Sequence, residues 1–149
     1  MPEPLVIKPI ASHDTLELRH ALLRPHLTPD TCVYPGDDAD TTVHLGAFLD
    51  EVLCGIVSLY RENLPEHGQQ TGDRFRALAI LEALRGQGHG NTLLKAVEAL
   101  SKKRGVDYLW ANARDTALDF YRKADYAVGK EAFMVEGVGP HRIVQKRLG

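Results

Sequence analysis

The sequence contains little cysteine, no excess of positive charge and no long apolar run. Its 149 residues include only two cysteines, Cys32 and Cys54, whose wide separation does not match the spacing of zinc ligands. We therefore expect two free thiols, no bound metal and a reducing compartment. The formal net charge is -2 at pH 7, so no overall basic field would attract nucleic acid or a membrane surface.

Segments that direct export or cross a membrane are not recognisable in the sequence. No apolar run approaches the ~20 residues that a bilayer-spanning helix needs. The first residues, Met1 to Leu5, lack the basic region and apolar core of a signal peptide. We expect a cytoplasmic protein with no nucleic acid and no membrane among its partners. The length fits a single domain spanning residues 1–149.

Hydrophobic patterns in the first half predict a strand, a helix, a long loop and a hairpin. The strand covers Leu5–Ile10, where Pro9 favours an edge position. The helix begins at Ser12 or Asp14 and continues to about Leu23. Residues 24–42 contain three prolines and form the loop. Two β-branched runs then flank Asp50-Glu51, which indicates an antiparallel hairpin over residues 43–60.

The second half predicts a strand–helix–strand–helix unit followed by two final strands. A helical repeat of apolar residues follows the first of these strands, with Lys95, Glu98 and Lys102 directed outward. Gly105 is placed to end this helix. The expected fold class is therefore α/β or α+β, in layers. The elements are strand 74–81, helix 88–104, strand 106–111, helix 116–124 and strands 126–129 and 142–148.

Three glycines stand where the long helix must begin. Gly86, Gly88 and Gly90 lower helix stability, because each glycine costs roughly 1 kcal/mol relative to alanine. The first amides of a helix have no internal partner and carry the positive end of the helix dipole. Glycines leave these amides uncovered, so the loop is suited to bind an anion, most often phosphate.

Two common phosphate-binding patterns do not fit this loop. A P-loop requires Gly-Lys-Ser/Thr after four intervening residues, but Asn91 and Thr92 stand there. The dinucleotide fingerprint needs a third glycine at position 91 or 93, where the chain has Asn91 and Leu93. A third pattern, Gln/Arg-x-x-Gly-x-Gly/Ala between a strand and a long helix, is matched in full by residues 85–90.

This third pattern resembles the phosphate loop of the GNAT superfamily of acyl-CoA-dependent N-acyltransferases. The resemblance extends over residues 74–126 and includes an Ala-x-x-Phe-Tyr element, Ala117 to Tyr121. It implies a GNAT-like single domain, with a mixed, mostly antiparallel sheet flanked by helices on both faces. The strand ending near Leu81 and the strand beginning near Val106 should run parallel in that sheet.

The resemblance also implies a set of residues that bind acetyl-CoA, the acyl donor. Backbone amides of the glycine loop would contact the pyrophosphate, and the preceding strand would pair with the pantetheine arm as an added strand does. A backbone amide of that strand could polarise the thioester carbonyl. The residues concerned are Leu78, Ala79, Ile80, Arg85, Gly86, Gln87, Gly88, His89, Gly90, Asn91 and Arg114, the last being equally well explained as a surface arginine.

Tyr121 is the candidate catalytic acid. In the family, a tyrosine at this place often protonates the leaving thiolate, and a phenol stays protonated at neutral pH. Leu118 and Tyr121 are three residues apart, however, and the same spacing predicts two core residues. Both interpretations stay open, and they are compatible if the ring is buried while the hydroxyl reaches the site.

The general base and the acceptor are not identified by the sequence. Three histidines, His44, His67 and His141, are candidate bases, whereas His89 and Glu82 are expected to face solvent. The acceptor should bind to the loops 24–42 and 64–72, which show the least regular patterns. The acidic residues of the first loop could attract a cationic amine, although a solvated acidic loop is the more common role of such a run.

We expect an N-acetyltransferase that transfers an acetyl group from acetyl-CoA to a primary amine by direct attack. The amine belongs to a small molecule or to a protein, and the protein could form a homodimer through sheet edges. A non-catalytic acyl-CoA-binding or regulatory module on the same fold is the alternative, because fold alone does not fix function. Transfer to a hydroxyl group is a weaker alternative.

Overall fold

The computed structural model describes residues 4–149, so the expectation for the first three residues lies outside the described part. By their contacts the described residues form two compact units, each built from two stretches of chain. The first unit comprises the chain up to Tyr60 together with Ala77–Val97. The second comprises Arg61–Arg76 and Glu98–Gly149.

The first unit contains three antiparallel strands and the first helix. Strand β1 (Val6–Ile10) pairs with β2 (Val43–Leu49), which pairs with β3 (Val52–Arg61). Because β1 stands at the end of the strand order, Pro9 occupies the predicted edge. Between β1 and β2 the chain forms a 3-10 turn, helix α1 (Leu16–Leu23) and a second 3-10 turn within the predicted loop.

The turn between β2 and β3 confirms the predicted hairpin. Asp50 and Glu51 have φ values of 48° and 65°, so both lie in the left-handed region that two-residue hairpin turns require. Short polar side chains such as that of Asp50 tolerate this region better than β-branched ones. The adjacent strand ends pair as Leu49 with Val52.

The second unit contains the parallel strand pair that the sequence predicts. Strand β4 (Gly72–Ile80) and β5 (Tyr108–Arg114) run parallel, with Gly72 opposite Tyr108 and Arg74 opposite Trp110. Strand β8 (Gly139–Arg147) pairs antiparallel with β5. Its other edge pairs with the short strands β6 (Ala127–Val128) and β7 (Phe133–Val135). The sequence did not predict β7, because three residues carry too little pattern.

Helix α2 (His89–Lys103) connects β4 to β5, and helix α3 (Leu118–Lys123) follows β5. The predicted apolar face of α2 is confirmed, since Leu93, Leu94 and Val97 have no exposed surface. Gly105 follows α2 with φ +78°, and its amide donates to the Lys102 carbonyl at 3.1 Å, as expected of a helix-ending glycine.

The orientation that the sequence predicts for one side chain of α2 is wrong. Glu98 was expected to point outward, but its carboxylate accepts a hydrogen bond from the Tyr126 hydroxyl at 2.7 Å and pairs with Lys146 at 3.4 Å. The partners are 28 and 48 residues away in sequence. A helical pattern alone cannot reveal an acid that is partly buried by such distant residues.

The predicted fold class is confirmed: the sheet is mixed and mostly antiparallel, and helices accompany it. Several boundaries move by a few residues, so that β4 begins at Gly72 rather than Arg74 and β5 covers Tyr108–Arg114. Cys32 and Cys54 are free, as expected, and both are buried. Among residues 4–149, no helix is long and apolar enough to span a membrane.

Candidate active site

The last part of β4 packs closely on β3 within the first unit. The amide of Leu81 donates to the Cys54 carbonyl at 2.9 Å. At the adjacent Gly55, a Cβ atom would stand 2.5 Å from Ile80 Cδ1 and 3.1 Å from Leu93 Cδ1. A side chain at position 55 would have to displace the tips of Ile80 and Leu93, so glycine favours this close approach of the end of β4 and helix α2 to β3. The strand that leads into the glycine loop is therefore held firmly.

Ala77 interrupts the regular geometry of β4. Its φ of 59° lies in the left-handed region, which costs a non-glycine residue roughly 1–2 kcal/mol. The pairing of β4 with β5 is described as far as Arg74, which stands opposite Trp110. Ala77 comes after this pair, and β4 continues to Ile80. A strained residue in the middle of a strand often marks a functional position. Here it directly precedes the predicted pantetheine-binding residues Leu78–Ile80.

The glycine loop has the geometry of an anion cradle. Gly86 and Gly88 have φ values of +82° and +84°, and a Cβ built on either would meet no atom within 4 Å. Their conformation thus favours glycine, and the space around them is open to a ligand. The first helical bond is donated by the Thr92 amide to the Gly88 carbonyl at 3.1 Å. The amides of the three residues before Thr92 therefore precede the hydrogen-bond ladder of α2.

Arg85 adds a positive charge to this loop. Its Nε donates to the Ile80 carbonyl at 3.4 Å, so the side chain lies back toward the end of β4. Gln87 and Asn91, the other polar residues of the predicted set, are exposed. All the predicted coenzyme-binding residues from Leu78 to Asn91 thus lie in one compact unit. Exposed amides and a guanidinium together suit a phosphate group.

His89 is a correction to the sequence-based expectation. The side chain was expected to face solvent, but its Nε2 atom is buried and has no hydrogen-bond partner among the described residues. The residue as a whole is partly buried. His89 is the first residue of α2.

Tyr121 lies in the second unit, inside a cluster of aromatic rings. Its ring centroid is 5.8 Å from that of Phe75, 5.0 Å from Phe120 and 5.7 Å from Tyr126. Burial raises the pKa of Tyr121 well above that of a free phenol. Tyr121 and Leu118 are both buried, which confirms the core interpretation of their spacing. The raised pKa also keeps the hydroxyl protonated, as a proton donor must be.

Arg114, the remaining residue of the predicted coenzyme set, ends β5 in the second unit. It stands opposite His141 in the antiparallel ladder with β8 and is partly buried. The 3-10 turn that opens with Asp115 begins immediately after it. Glu82, on the turn after β4, is exposed as the sequence predicted.

The three candidate bases are all engaged in structural contacts. The His67 ring lies 4.4 Å from that of Tyr108, and its Nε2 is hydrogen-bonded to the Gln145 side chain. The His141 ring stacks on Phe133 with centroids 6.0 Å apart, and its Nδ1 bonds to the Gly139 carbonyl at 2.8 Å.

His44 has both ring nitrogens in hydrogen bonds. Nε2 donates to the Asp37 carbonyl at 2.9 Å, because a carbonyl can only accept. In the neutral ring Nδ1 must then accept, so the Ser58 hydroxyl donates to it at 2.6 Å. Ser58 Oγ in turn accepts from Arg19 at 2.8 Å. These bonds hold His44 inside the protein and give it a structural role.

The acidic loop differs from the expectation at its central residue. Asp37 was expected to belong to a solvated run, but it is 6% exposed and paired with Arg19 at 2.7 Å. Asp38 remains exposed and accepts from the Ser12 hydroxyl at 2.8 Å. The sequence contained one signal for this pair. Arg19 follows Leu16 by three residues and precedes Leu23 by four, which places a charge on the apolar side of α1.

Within residues 4–149, no group of three or more histidine, cysteine, aspartate or glutamate residues could hold a metal ion. A glycine-lined helix start after a strained strand is the arrangement expected of a site that binds a phosphate group.

Comparison with known proteins agrees with this class. The family model of the acetyltransferase (GNAT) domain matches residues 37–142. The uncharacterized N-acetyltransferase YitI of Bacillus subtilis (strain 168) is 36% identical over 144 residues, which cover 97% of both chains. The protein therefore belongs to the GNAT acetyltransferase family.

Two solved structures share the fold. Escherichia coli ElaA superimposes with a TM-score of 0.77 at 16% identity, over 96% of this chain and 99% of that one. A GNAT family acetyltransferase from Elizabethkingia anophelis, solved with acetyl-CoA bound, gives a TM-score of 0.70 at 16% identity, over 97% and 98%. The predicted resemblance and the predicted fold are thus confirmed.

Proposed function

We propose that this GNAT-family protein transfers an acetyl group from acetyl-CoA to a primary amine. The observation that carries the proposal is the glycine loop, in which Gly86 and Gly88 open the amides at the start of α2. The bound acyl donor supplies a thioester, which is an acyl group already activated for transfer. The similarity to the acetyl-CoA-bound Elizabethkingia anophelis protein supports the choice of donor.

The chain's own residues would bind and orient this donor. The loop amides from Gly86 to Asn91, with Arg85 beside them, would hold the pyrophosphate. The backbone of Leu78–Ile80 would pair with the pantetheine arm as an added strand. The left-handed Ala77 supports this role, because it interrupts the regular strand backbone just before these residues. A backbone amide there would donate to the acyl carbonyl oxygen.

The reaction exchanges one bond for another. A nitrogen–carbon bond forms between the amine and the acyl carbon, and the carbon–sulfur bond breaks. The amine loses a proton to water, the thiolate gains one from the Tyr121 hydroxyl, and water then returns a proton to the Tyr121 phenolate. Only about one lysine-like amine in two thousand is neutral at pH 7, because the pKa of such an amine is near 10.4. The loss of this proton therefore contributes to the free-energy barrier of the transfer.

The raised pKa of Tyr121 has two opposite consequences for a role as the catalytic acid. Burial raises its pKa, so the hydroxyl remains protonated across the neutral range. The same rise in pKa makes the phenol a weaker acid. Proton transfer therefore requires a strongly basic thiolate, which is the case when the thiolate is held in a poorly solvated site. The loops 24–42 and 64–72 are proposed to bind the acceptor, which is a small molecule or a protein amine.

The experiment is a thiol-release assay with acetyl-CoA and a panel of amines, alcohols and a no-acceptor control. We expect free coenzyme A to appear with at least one class of primary amine and not with alcohols. The Gly88→Leu variant is the matched negative control. If acetyl-CoA binds but no acceptor releases thiol, the protein is a non-catalytic acyl-CoA-binding module and the proposed transfer is wrong.

A further inference from the structure

The second unit contains a small cavity of its own. The cavity has a volume of about 260 Å³, below the ~300–1,000 Å³ of pockets that take drug-sized molecules, so its ligand must be smaller. None of the residues predicted to bind the coenzyme is among those that line it. Its lining includes His67, Tyr108, Asp125, Ala127, Gln145 and Arg147, which all belong to the second unit.

One face of the sheet forms the floor of this cavity. Arg147 stands opposite Tyr108 across β8 and β5, and Gln145 stands opposite Ala127 across β8 and β6. Side chains directly opposite each other, and side chains two apart on one strand, project from the same face of a sheet. The His67 ring packs on the Tyr108 ring with centroids 4.4 Å apart. Rings and a methyl group thus give the floor an apolar surface.

Lys146 also borders the cavity, but its charge is already neutralised. Side chains alternate along a strand, so Lys146 projects from the face opposite to that of Gln145 and Arg147. Its ammonium pairs with Glu98 at 3.4 Å and donates to the Ala124 carbonyl at 3.0 Å. The positive charge that remains for a ligand is therefore that of Arg147.

The guanidinium of Arg147 has no acidic partner among residues 4–149. Its Nη2 donates to the side-chain oxygen of Gln70 at 3.2 Å, which is a neutral acceptor, and the residue is exposed. A guanidinium presents its donors as a fork that matches the two oxygens of a carboxylate. Arg147 can therefore bind a carboxylate without breaking an ion pair.

Asp125 brings an unpaired negative charge to the same cavity. Its carboxylate has no ion pair or hydrogen bond within the described part of the chain. Its backbone has φ 71°, and the amide of the following Tyr126 donates to the Tyr121 carbonyl at 3.0 Å, which closes the end of α3. Glycine is the usual residue at such a helix end, as Gly105 is after α2. The chain thus has a carboxylate where glycine would be less strained.

Asp125 and Arg147 lie toward the same end of the sheet. Ala127 and Gln145 are opposite each other, and Asp125 lies two residues before Ala127 while Arg147 lies two residues after Gln145. In an antiparallel pair these two directions coincide. The two charges do not form an ion pair with each other in the part of the chain that the structure describes. A ligand carrying both charges would pair with both.

His67 adds a hydrogen-bond acceptor to the lining. Its Nε2 donates to the side-chain oxygen of Gln145, so Nδ1 of the neutral ring accepts. Nothing in the described chain donates to this Nδ1. The cavity therefore offers a cationic donor on one side, a carboxylate and an imidazole nitrogen as acceptors, and an apolar floor.

We propose that this cavity binds a free amino acid with an apolar side chain. Arg147 holds the carboxylate of the ligand, and Asp125 with His67 accepts the ammonium protons. The side chain of the ligand lies on the apolar floor. A zwitterion pairs with both charges, whereas a simple anion or a simple amine leaves one of them unpaired. Binding needs no acyl donor, so this site goes beyond the proposed transfer.

The test compares amino acids with derivatives that lack one charge. The protein, without acyl donor, is titrated by calorimetry with glycine, alanine, valine, leucine and phenylalanine, and with the N-acetyl acid and the amide of each. We expect at least one free amino acid with an apolar side chain to bind saturably and more tightly than glycine. Both of its derivatives should bind about ten-fold more weakly or worse, because each loses a charged contact. Amide NMR signals of Ala127 and Arg147 should shift on binding.

Variants assign each charge to its partner. Asp125→Asn, which still tolerates the left-handed backbone, should erase the advantage over the N-acetyl acid and keep that over the amide. Arg147→Gln should do the reverse, whereas a purely structural role would not separate the two advantages. Asp119→Asn and Arg122→Gln, which break a surface ion pair on α3, are the matched controls and should keep both. Circular dichroism checks that each variant is folded.

Three results would overturn the proposal: equal binding of an amino acid and either derivative, no binding of any amino acid by calorimetry and NMR, or both advantages surviving in both charge variants. Binding of the N-acetyl acids alone would make the cavity an anion site, and binding of the amides alone a cation site, so either would also overturn it. The titration uses no acyl donor. A failed transferase assay therefore leaves this site intact, and absence of binding here leaves the proposed transfer intact.

Discussion

The Arg19 guanidinium and the Asp37 carboxylate form a two-point ion pair inside the first unit, at 2.7 and 3.1 Å, with no exposed surface on the arginine. The Tyr60 hydroxyl donates to the same carboxylate at 2.6 Å, and the Tyr34 amide donates to it at 2.9 Å. The pair therefore fastens the long loop to α1 and β3. Residues proposed to bind the acceptor are held by a buried charge network.

Asp37→Asn should lower the free energy of unfolding by about 3–5 kcal/mol, because it leaves the buried Arg19 without its counter-charge. Denaturant unfolding at pH 7 measures this change. Asp40→Asn in the same loop is the control, since Asp40 is exposed and should change stability by less than about 0.5 kcal/mol. Equal effects of the two substitutions would mean that the ion pair contributes nothing specific.

The same pair predicts an acid-dependent loss of stability. Burial alone would raise the pKa of Asp37, but hydrogen bonds from Arg19 and Tyr60 outweigh it and hold the pKa below the usual aspartate range. The contribution is thus fully present above the unfolded pKa of about 3.9 and is lost as the pH falls through the lower folded value. Unfolding curves from pH 6 downward should show a smaller acid loss in Asp37→Asn than in the wild type.

Ala77 should respond to substitution in the opposite way to an ordinary strand residue. Ala77→Gly relieves the left-handed strain of about 1–2 kcal/mol, against a chain-entropy cost of about 0.5–1 kcal/mol, so stability should stay level or rise. Ala77→Val should destabilise. On the same strand Ala79→Gly is the control and should lose stability, as buried strand alanines do. A clear loss of stability in Ala77→Gly would show that the backbone at Ala77 is not strained.

Gly88→Leu should abolish the rise in melting temperature that acetyl-CoA gives, because the new side chain fills the open cradle. Gly105→Leu is matched to it: Gly105 also has a positive φ and open space, but it lies at the other end of α2. Both variants should lose similar stability, and only Gly105→Leu should keep the ligand shift. A retained shift in Gly88→Leu would place the ligand elsewhere.

Tyr121→Phe removes one hydroxyl while keeping the ring among its aromatic neighbours. We expect turnover on a confirmed amine to fall by about 10² or more with little change in acetyl-CoA affinity, because the proton is donated in the transition state. Stability should change by about 0–1.5 kcal/mol. Tyr126→Phe, which removes the hydrogen bond to Glu98, should lower stability without lowering turnover. Normal turnover in Tyr121→Phe would leave Tyr121 as core alone.

Prediction from the sequence succeeded where the signal was local. The loop from Arg85 to Asn91 was found because glycine spacing before a helix has a direct physical consequence for its amides. It failed for His89, whose burial depends on where the following helix packs, and it could not reveal that the partners of His44 come from Asp37 and Ser58. Side-chain orientation is decided by neighbours that a single sequence does not reveal.

The contact between Arg74 and Trp110 was hidden from sequence reasoning for the same reason. Arg74 alternates with Phe75 along β4, and nothing in that alternation shows that Trp110 lies beneath it. The parallel register of two strands separated by a whole helix brings them together. No short-range pattern encodes a contact across 36 residues.

By itself the sequence determined the hairpin at Asp50-Glu51, the amphipathic helix ending at Gly105 and the glycine loop, because each depends on backbone conformation or on periodicity within a few residues. The tertiary structure alone decided which charges are buried. Asp37 and Glu98 look like surface acids in the sequence, but Asp37 is buried and Glu98 is partly buried, because a partner from a distant segment supplies the hydrogen bonds that water would otherwise provide.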